Sequence, residues 1–278
     1  MENYFNLPDG PIRSEKKIRT YLVTSCKGGI GKSTVTANVA MSLAKLDHRV
    51  LVVDCDFSNR SLDLIFGCEN DVVYDICDLV AGRTTPARCV LRDSRDERLF
   101  FIPAPLVKRD TFTAEEFASA IRAAAKEFDC DYVLVDTPGA SDDTLSLVSP
   151  VADAALIVAS HQPTSVRGAE KTGYMLDELG VTDQYLVINC YDGDEVLRGG
   201  RPGLTVLIDR THVRLIGVIP ESEKLELAQE RSRLVCELRR DRTGIKQAFD
   251  EIARRMCGER LPVMSYVSEK RRRKLLYS

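Results

Sequence analysis

The stretch "TYLVTSCKGGIGKST", residues 20–34, constrains the fold more than any other part of the chain. An apolar, β-branched run leads into Gly28, Gly29 and Gly31. A helical pattern follows over 33–46, with Val35, Val39, Leu43 and Leu46 on one apolar stripe. Strand, glycine-rich turn and helix N-terminus in that order make a cradle for phosphate. The glycines let backbone N–H groups approach the oxygens, and the helix dipole adds its attraction. Gly31, Lys32 and Ser33 fit the end of the loop motif G-x-x-x-x-G-K-[ST], but Cys26 stands at its first glycine and Lys27 adds a second lysine. The candidate nucleotide contacts are Gly28, Gly29, Ile30, Gly31, Lys32, Ser33 and Thr34. Lys32 would neutralise the β- and γ-phosphates of ATP, and the Ser33 hydroxyl would ligate Mg²⁺.

Similar apolar runs recur at 49–54, 99–104, 131–136, 154–160, 185–190 and 213–220, nearly continuous rather than alternating. That pattern fits parallel strands covered on both faces. Helical patterns fall between them, at about 71–81, 114–128, 165–179, 202–210 and 243–257. The βαβ alternation predicts an α/β fold: a single doubly wound, mostly parallel sheet with helices on both faces. Residues 1–18 read as a loose leader, 19–260 as the nucleotide-binding domain, and 261–278 as a basic tail.

Composition narrows the function. A formal net charge of −3 over 278 residues argues against a polycation built for nucleic acid. The nine cysteines contain no C-x-x-C pair, which argues against a zinc ribbon or a disulfide framework and for a reducing, cytoplasmic compartment. No run approaches the ~18 apolar residues of a membrane span, and nothing resembles a signal peptide.

Two strand ends carry acids. "VLVVDCD" ends in Asp54 and Asp56, and "YVLVDTPG" places Asp136 before a glycine turn. Ligands of open α/β sheets sit beyond the carboxyl ends of the strands, so these carboxylates should face the phosphate loop. One could hold Mg²⁺ through water while another orients the attacking water. Alternatively, each aspartate simply caps a turn.

"KGGIGKST", "VDCDFSNRSLDLIFG", "ENDVVYDICDLVAG", "YVLVDTPG" and "LIGVIPES" occur in the order and spacing of the MinD/ParA family of deviant Walker ATPases. The stretch from Arg60 to Gly82 resembles the MinD branch more than the ParA branch. The resemblance spans about residues 20–258. It implies that Lys27 reaches across an ATP-sandwiched homodimer to the partner's phosphates, with Lys32 and Asp56 completing the catalytic set. Asp54 and Asp136 would serve Mg²⁺ through water, beside Ser33. Asp56 would position the hydrolytic water, and Asn189, Pro220 and Glu221 would border the adenine. It further implies ATP-dependent attachment to the inner face of the cell membrane, placement of the division site, and a protein activator or effector of the MinE/MinC type. Three positions depart from the branch: Ser61 for the usual Asn, Gly168 for the usual Asp, and Cys190 for the usual Arg.

The tail, "YVSEKRRRKLLYS", joins a basic block at Lys270–Lys274 to Leu275, Leu276 and Tyr277. Basic residues near an anionic leaflet contribute ~1 kcal/mol each, and so short an apolar end adds little, so this is a weak anchor that dimerisation would double. The same block could contact DNA phosphates, as in a ParA-like partitioning ATPase, or lie free in solvent. A MinD-related regulator of flagellar number shares the engine. An iron–sulfur carrier with a similar loop would need the C-x-x-C pair that this chain lacks.

Overall fold

The computed structural model describes residues 17–107, 111–139, 142–238, 241 and 243–263. Eight strands form one sheet: β1 (Arg19–Thr24), β2 (Val50–Asp54), β3 (Leu91–Arg92), β4 (Leu99–Ile102), β5 (Tyr132–Asp136), β6 (Ala154–Ala159), β7 (Gln184–Tyr191) and β8 (Arg214–Pro220). Their order across the sheet is β3-β4-β2-β5-β1-β6-β7-β8. All neighbours run parallel except β3 and β4. Every residue of β2, β4, β5 and β6 is buried. This accounts for their unbroken apolar runs, since helices cover both faces. The expected fold class is the observed one.

The helices follow in chain order: α1 (Lys32–Lys45), α2 (Leu62–Phe66), α3 (Ile76–Val80), α4 (Pro86–Cys89), α5 (Ala114–Glu127), α6 (Asp142–Val148), α7 (Pro163–Glu178), α8 (Gly193–Leu197), α9 (Leu204–Thr211), α10 (Glu223–Gln229) and α11 (Ile245–Met256). The stripe expected on α1 understates its burial. Lys45 and Ser33 alone among its residues escape, because α11 and the segment around Val235 cover the side turned from the sheet. Ser42 Oγ donates to Asp250 Oδ1 on α11 at 2.8 Å, and Val235 N–H donates to Asn38 Oδ1 at 2.8 Å. The helix expected over 71–81 is also shorter than its pattern. Val73 is 78% exposed, and Asp75 starts α3 through a capping box with Asp78. Of the proposed leader only residues 17 and 18 are described, and of the tail only 261–263; the basic block lies outside the described residues. No helix among the described residues is long and apolar enough to cross a membrane.

Candidate functional site: a phosphate loop beside paired aspartates

The loop between β1 and α1 lies at the carboxyl edge of the sheet, with β5 and β6 on either side of β1. Gly29 and Gly31 have φ of 71° and 89°, a region where a side chain would be strained. Gly31 is also the N-cap of α1, and it offers no side-chain acceptor to the first-turn N–H groups. Those groups and the helix dipole suit an anion. Ser25 Oγ donates to the Lys27 carbonyl at 2.8 Å, tying the loop to the end of β1. Thr34 is buried and accepts from the Gln229 side chain.

The two lysines occupy different surroundings. Lys32 is buried at 5% exposure, and its charge draws down the pKa of Asp136. Lys27 is exposed, and its Nζ donates to Gln162 Oε1 at 3.2 Å, at the N-cap of α7.

Asp54 and Asp136 end adjacent strands and lie opposite each other in the β2–β5 ladder, both fully buried. Desolvation drives both pKa values up, Asp136 to about 6. For Asp54 the repulsion from Asp136 adds to that rise; for Asp136 the hydroxyls of Ser33 and Thr36 and the charge of Lys32 oppose it. Ser33 Oγ donates to Asp136 Oδ2 at 2.6 Å, and Thr36 Oγ1 to Oδ1 at 2.8 Å. Ser61, one of the three departures, donates to Ser33 Oγ at 3.1 Å. Two buried carboxylates beside a serine hydroxyl form a hard-oxygen set lacking a counter-charge of its own size. That donor chemistry fits Mg²⁺.

β2 stops at Asp54, so Asp56 lies in the loop that follows the strand. There its Oδ1 accepts from Ser58 Oγ at 2.7 Å and from Asn59 N–H at 3.0 Å. It remains buried, with its N–H on Asp54 Oδ1 at 2.9 Å. Asn189, at the end of β7, donates through Nδ2 to the Ile30 carbonyl at 2.8 Å and so joins the phosphate loop. Pro220 ends β8 opposite Tyr191, and the exposed Glu221 donates its N–H to the Tyr191 carbonyl at 3.1 Å.

Several contacts here have no local signal in the sequence. A Cβ at Gly139 would sit 2.7 Å from the Gly28 nitrogen, so the turn after Asp136 presses directly on the phosphate loop. A Cβ at Gly168, inside α7, would meet Cys26 Sγ at 2.3 Å and Cys26 Cβ at 2.6 Å. The two unusual residues Cys26 and Gly168 are therefore complementary: the side chain gained in the loop fills the space left in the helix. Glycine in a helix interior costs about 1 kcal/mol against alanine. Gly168→Ala is nevertheless expected to destabilise by about 1–3 kcal/mol, through overpacking against Cys26. Adding Cys26→Gly should recover most of that loss in urea denaturation. A neutral Gly168→Ala, or no recovery in the double variant, would contradict the packing.

Comparison with known proteins points the same way over residues 16–257. The ParA model described as NUBPL iron-transfer P-loop NTPase matches residues 16–257. A putative septum site-determining protein MinD of Emiliania huxleyi is 32% identical over 90% of this chain and 91% of its own. Septum site-determining protein MinD of Neisseria meningitidis is 28% identical over 90% and 95%. Among solved structures, the MinC:MinD cell division protein complex of Aquifex aeolicus superposes with a TM-score of 0.81 at 30% identity, covering 88% of this chain and 98% of that one. MinD from Pyrococcus horikoshii, complexed with Mg-ADP, shares the fold at a TM-score of 0.74 and 22% identity, over 86% and 96%. A match running from before β1 to the end of α11 belongs to the whole fold rather than to one loop, and the chain is a member of the ParA/MinD family of P-loop NTPases, an ATPase.

Proposed function

We propose that this protein is a MinD-type switch in division-site placement. It closes as a homodimer around ATP, attaches to the inner face of an anionic membrane in that form, and leaves it after hydrolysis. The observation that carries this reading is the split between the two loop lysines. Lys32 is buried next to Asp136, and Lys27 is exposed and held by Gln162. Lys32 neutralises phosphate charge within its own chain. Lys27 is available to a facing copy, where an ammonium placed on the transferring phosphoryl acts as an arginine finger does. Assembly is thereby tied to the γ-phosphate, so ATP favours the dimer and hydrolysis releases it.

Within each site, Gly28 to Thr34 wrap the phosphates with backbone N–H groups. Asn189, Pro220 and Glu221 border the base. Ser33, Asp54 and Asp136 are the residues that would hold Mg²⁺, which would supply positive charge against the phosphates when bound. Asp56 orients the attacking water, its carboxylate held in place through Oδ1 by Ser58 and Asn59. A protein partner reads the assembled state, either of the MinC kind, the protein complexed with MinD in the Aquifex structure, or of the MinE kind.

The basic block at 270–274 supplies membrane attachment, doubled in the dimer. Sedimentation with phosphatidylglycerol vesicles tests this. Pelleting should be several-fold greater with ATP than with ADP and should be lost on deleting residues 271–278. Equal pelleting in both nucleotides, or none lost on deletion, would overturn membrane switching. ATP-dependent retention on duplex DNA that weakens steeply with salt would favour a ParA-like role instead.

A further inference from the structure

At the edge of the sheet opposite the phosphate loop, four side chains that the ATP chemistry does not use come together. Cys257, the half-buried C-cap of α11, has its Sγ 3.3 Å from His48 Nε2. His48 Nδ1 lies 3.8 Å from Asp131 Oδ2, just before β5. The Tyr132 hydroxyl donates to the same sulfur at 3.6 Å, and its ring meets the imidazole edge-on with centroids 5.1 Å apart. Asp131 is fixed in turn, because Oδ2 accepts the Arg49 N–H at 2.7 Å. A thiol, an imidazole and a carboxylate are thus aligned in the order that activates a nucleophile.

Asp131 favours the imidazole proton on Nδ1, which leaves the Nε2 lone pair facing the thiol. Burial, with Glu259 and Asp131 nearby, pushes the Cys257 thiol up, while the Tyr132 hydrogen bond pulls it down. Tyr21 on β1 also faces this group. The resting sulfur is therefore a thiol, and reactivity needs a base at the moment of attack rather than a standing thiolate.

We infer that Cys257 is a modification site for low-molecular-weight disulfides and similar small electrophiles, with His48 as its general base and Asp131 as the residue that positions His48. Cys257 Sγ attacks one disulfide sulfur, a new S–S bond forms and the old one breaks. The thiol proton passes to His48 Nε2 and then to the departing thiolate. The products are a mixed disulfide at Cys257 and one free thiol. Asp131 steadies the transient imidazolium, and the Tyr132 hydroxyl steadies charge developing on sulfur. The adduct would sit at the C-terminus of α11, four residues before position 261, where the basic tail begins.

The test uses the native full-length protein, iodoacetamide as a rate probe and glutathione disulfide as the exchange partner, with peptide mapping by mass spectrometry. Cys68 and Cys236 are the comparators: both are also half-buried, and burial raises both thiols. At pH 7 Cys257 should react at least ~10-fold faster than either, and His48→Gln should remove that advantage. Glutathione disulfide should give a single adduct, at Cys257. The proposal fails if Cys257 reacts no faster than the comparators or keeps its rate in His48→Gln. Should His48→Gln fold poorly by thermal melting, the pH profile of the unaltered protein decides. A plateau between about pH 7 and 8.5 supports base catalysis, and a ~10-fold rise per pH unit up to pH 9 overturns it.

Discussion

Lys27→Ala is expected to bind ATP with little change and to lose about 10³-fold in stimulated hydrolysis, together with ATP-dependent dimerisation. The argument starts from surroundings rather than motif. The Lys27 side chain is exposed and, among the described residues, donates to Gln162 Oε1 at 3.2 Å, so its removal leaves the pocket around Lys32 and Asp136 unaltered. A cation supplied across an interface to a transferring phosphoryl contributes ~10³-fold or more, roughly 4 kcal/mol of barrier. Lys32→Ala should behave oppositely. It removes the counter-charge within the site and weakens nucleotide binding itself. Equilibrium binding of a fluorescent ATP analogue, with single-turnover hydrolysis, separates the two. A Lys27→Ala protein that dimerises and hydrolyses normally would remove Lys27 from its proposed role.

The second large effect concerns the paired aspartates. Because burial raises Asp136 to about 6 from an ordinary 3.8, the folded nucleotide-free protein keeps a proton that the unfolded chain releases. Stability therefore falls as pH rises from about 4 to 6, by ~1–3 kcal/mol, the reverse of a salt-bridged carboxylate. Asp54 shifts in the same direction. Asp54→Asn removes one buried charge while keeping an oxygen for the Asp56 N–H. It should raise the melting temperature of the nucleotide-free protein at pH 8 by about 2–6 °C. It should also abolish most of the extra stabilisation that Mg²⁺ adds to bound nucleotide. Thermal melts across pH, with and without Mg²⁺ and ATP, check both halves. A lower melting temperature in the nucleotide-free variant would contradict the electrostatic account.

What the sequence revealed followed from burial. The central strands carry β-branched residues on both faces because helices cover both, so their runs were legible without alternation. Asp54 and Asp136 could be placed at one edge because parallel strands deliver their ends to the same side. The apolar run does not announce where β2 ends: the strand stops at Asp54, and a turn closed by Ser58 and Asn59 holds Asp56. The short helices α2, α4, α8 and α10 are too brief for a 3.6-residue period to register. The two-residue β3 carries still less signal. Val72 and Val73 blurred the start of α3, because they look like a buried face while Val73 is in fact exposed. The pairing of Lys27 with Gln162, 135 residues away, and of Cys26 with Gly168 depends on tertiary packing. Each of the two odd residues looks like a defect alone, and only together do they make a fitted contact.

The central claim is that one chain holds half of a working site, completed by a second copy when ATP is bound. Sedimentation equilibrium of the full-length protein with Mg²⁺ and either ATP or ADP tests it most directly, with Asp56→Ala included to slow turnover. The account predicts twice the monomer mass with ATP, the monomer mass with ADP, and a persistent dimer in Asp56→Ala. A monomer in ATP at every protein concentration, or the same dimer in both nucleotides, would contradict it.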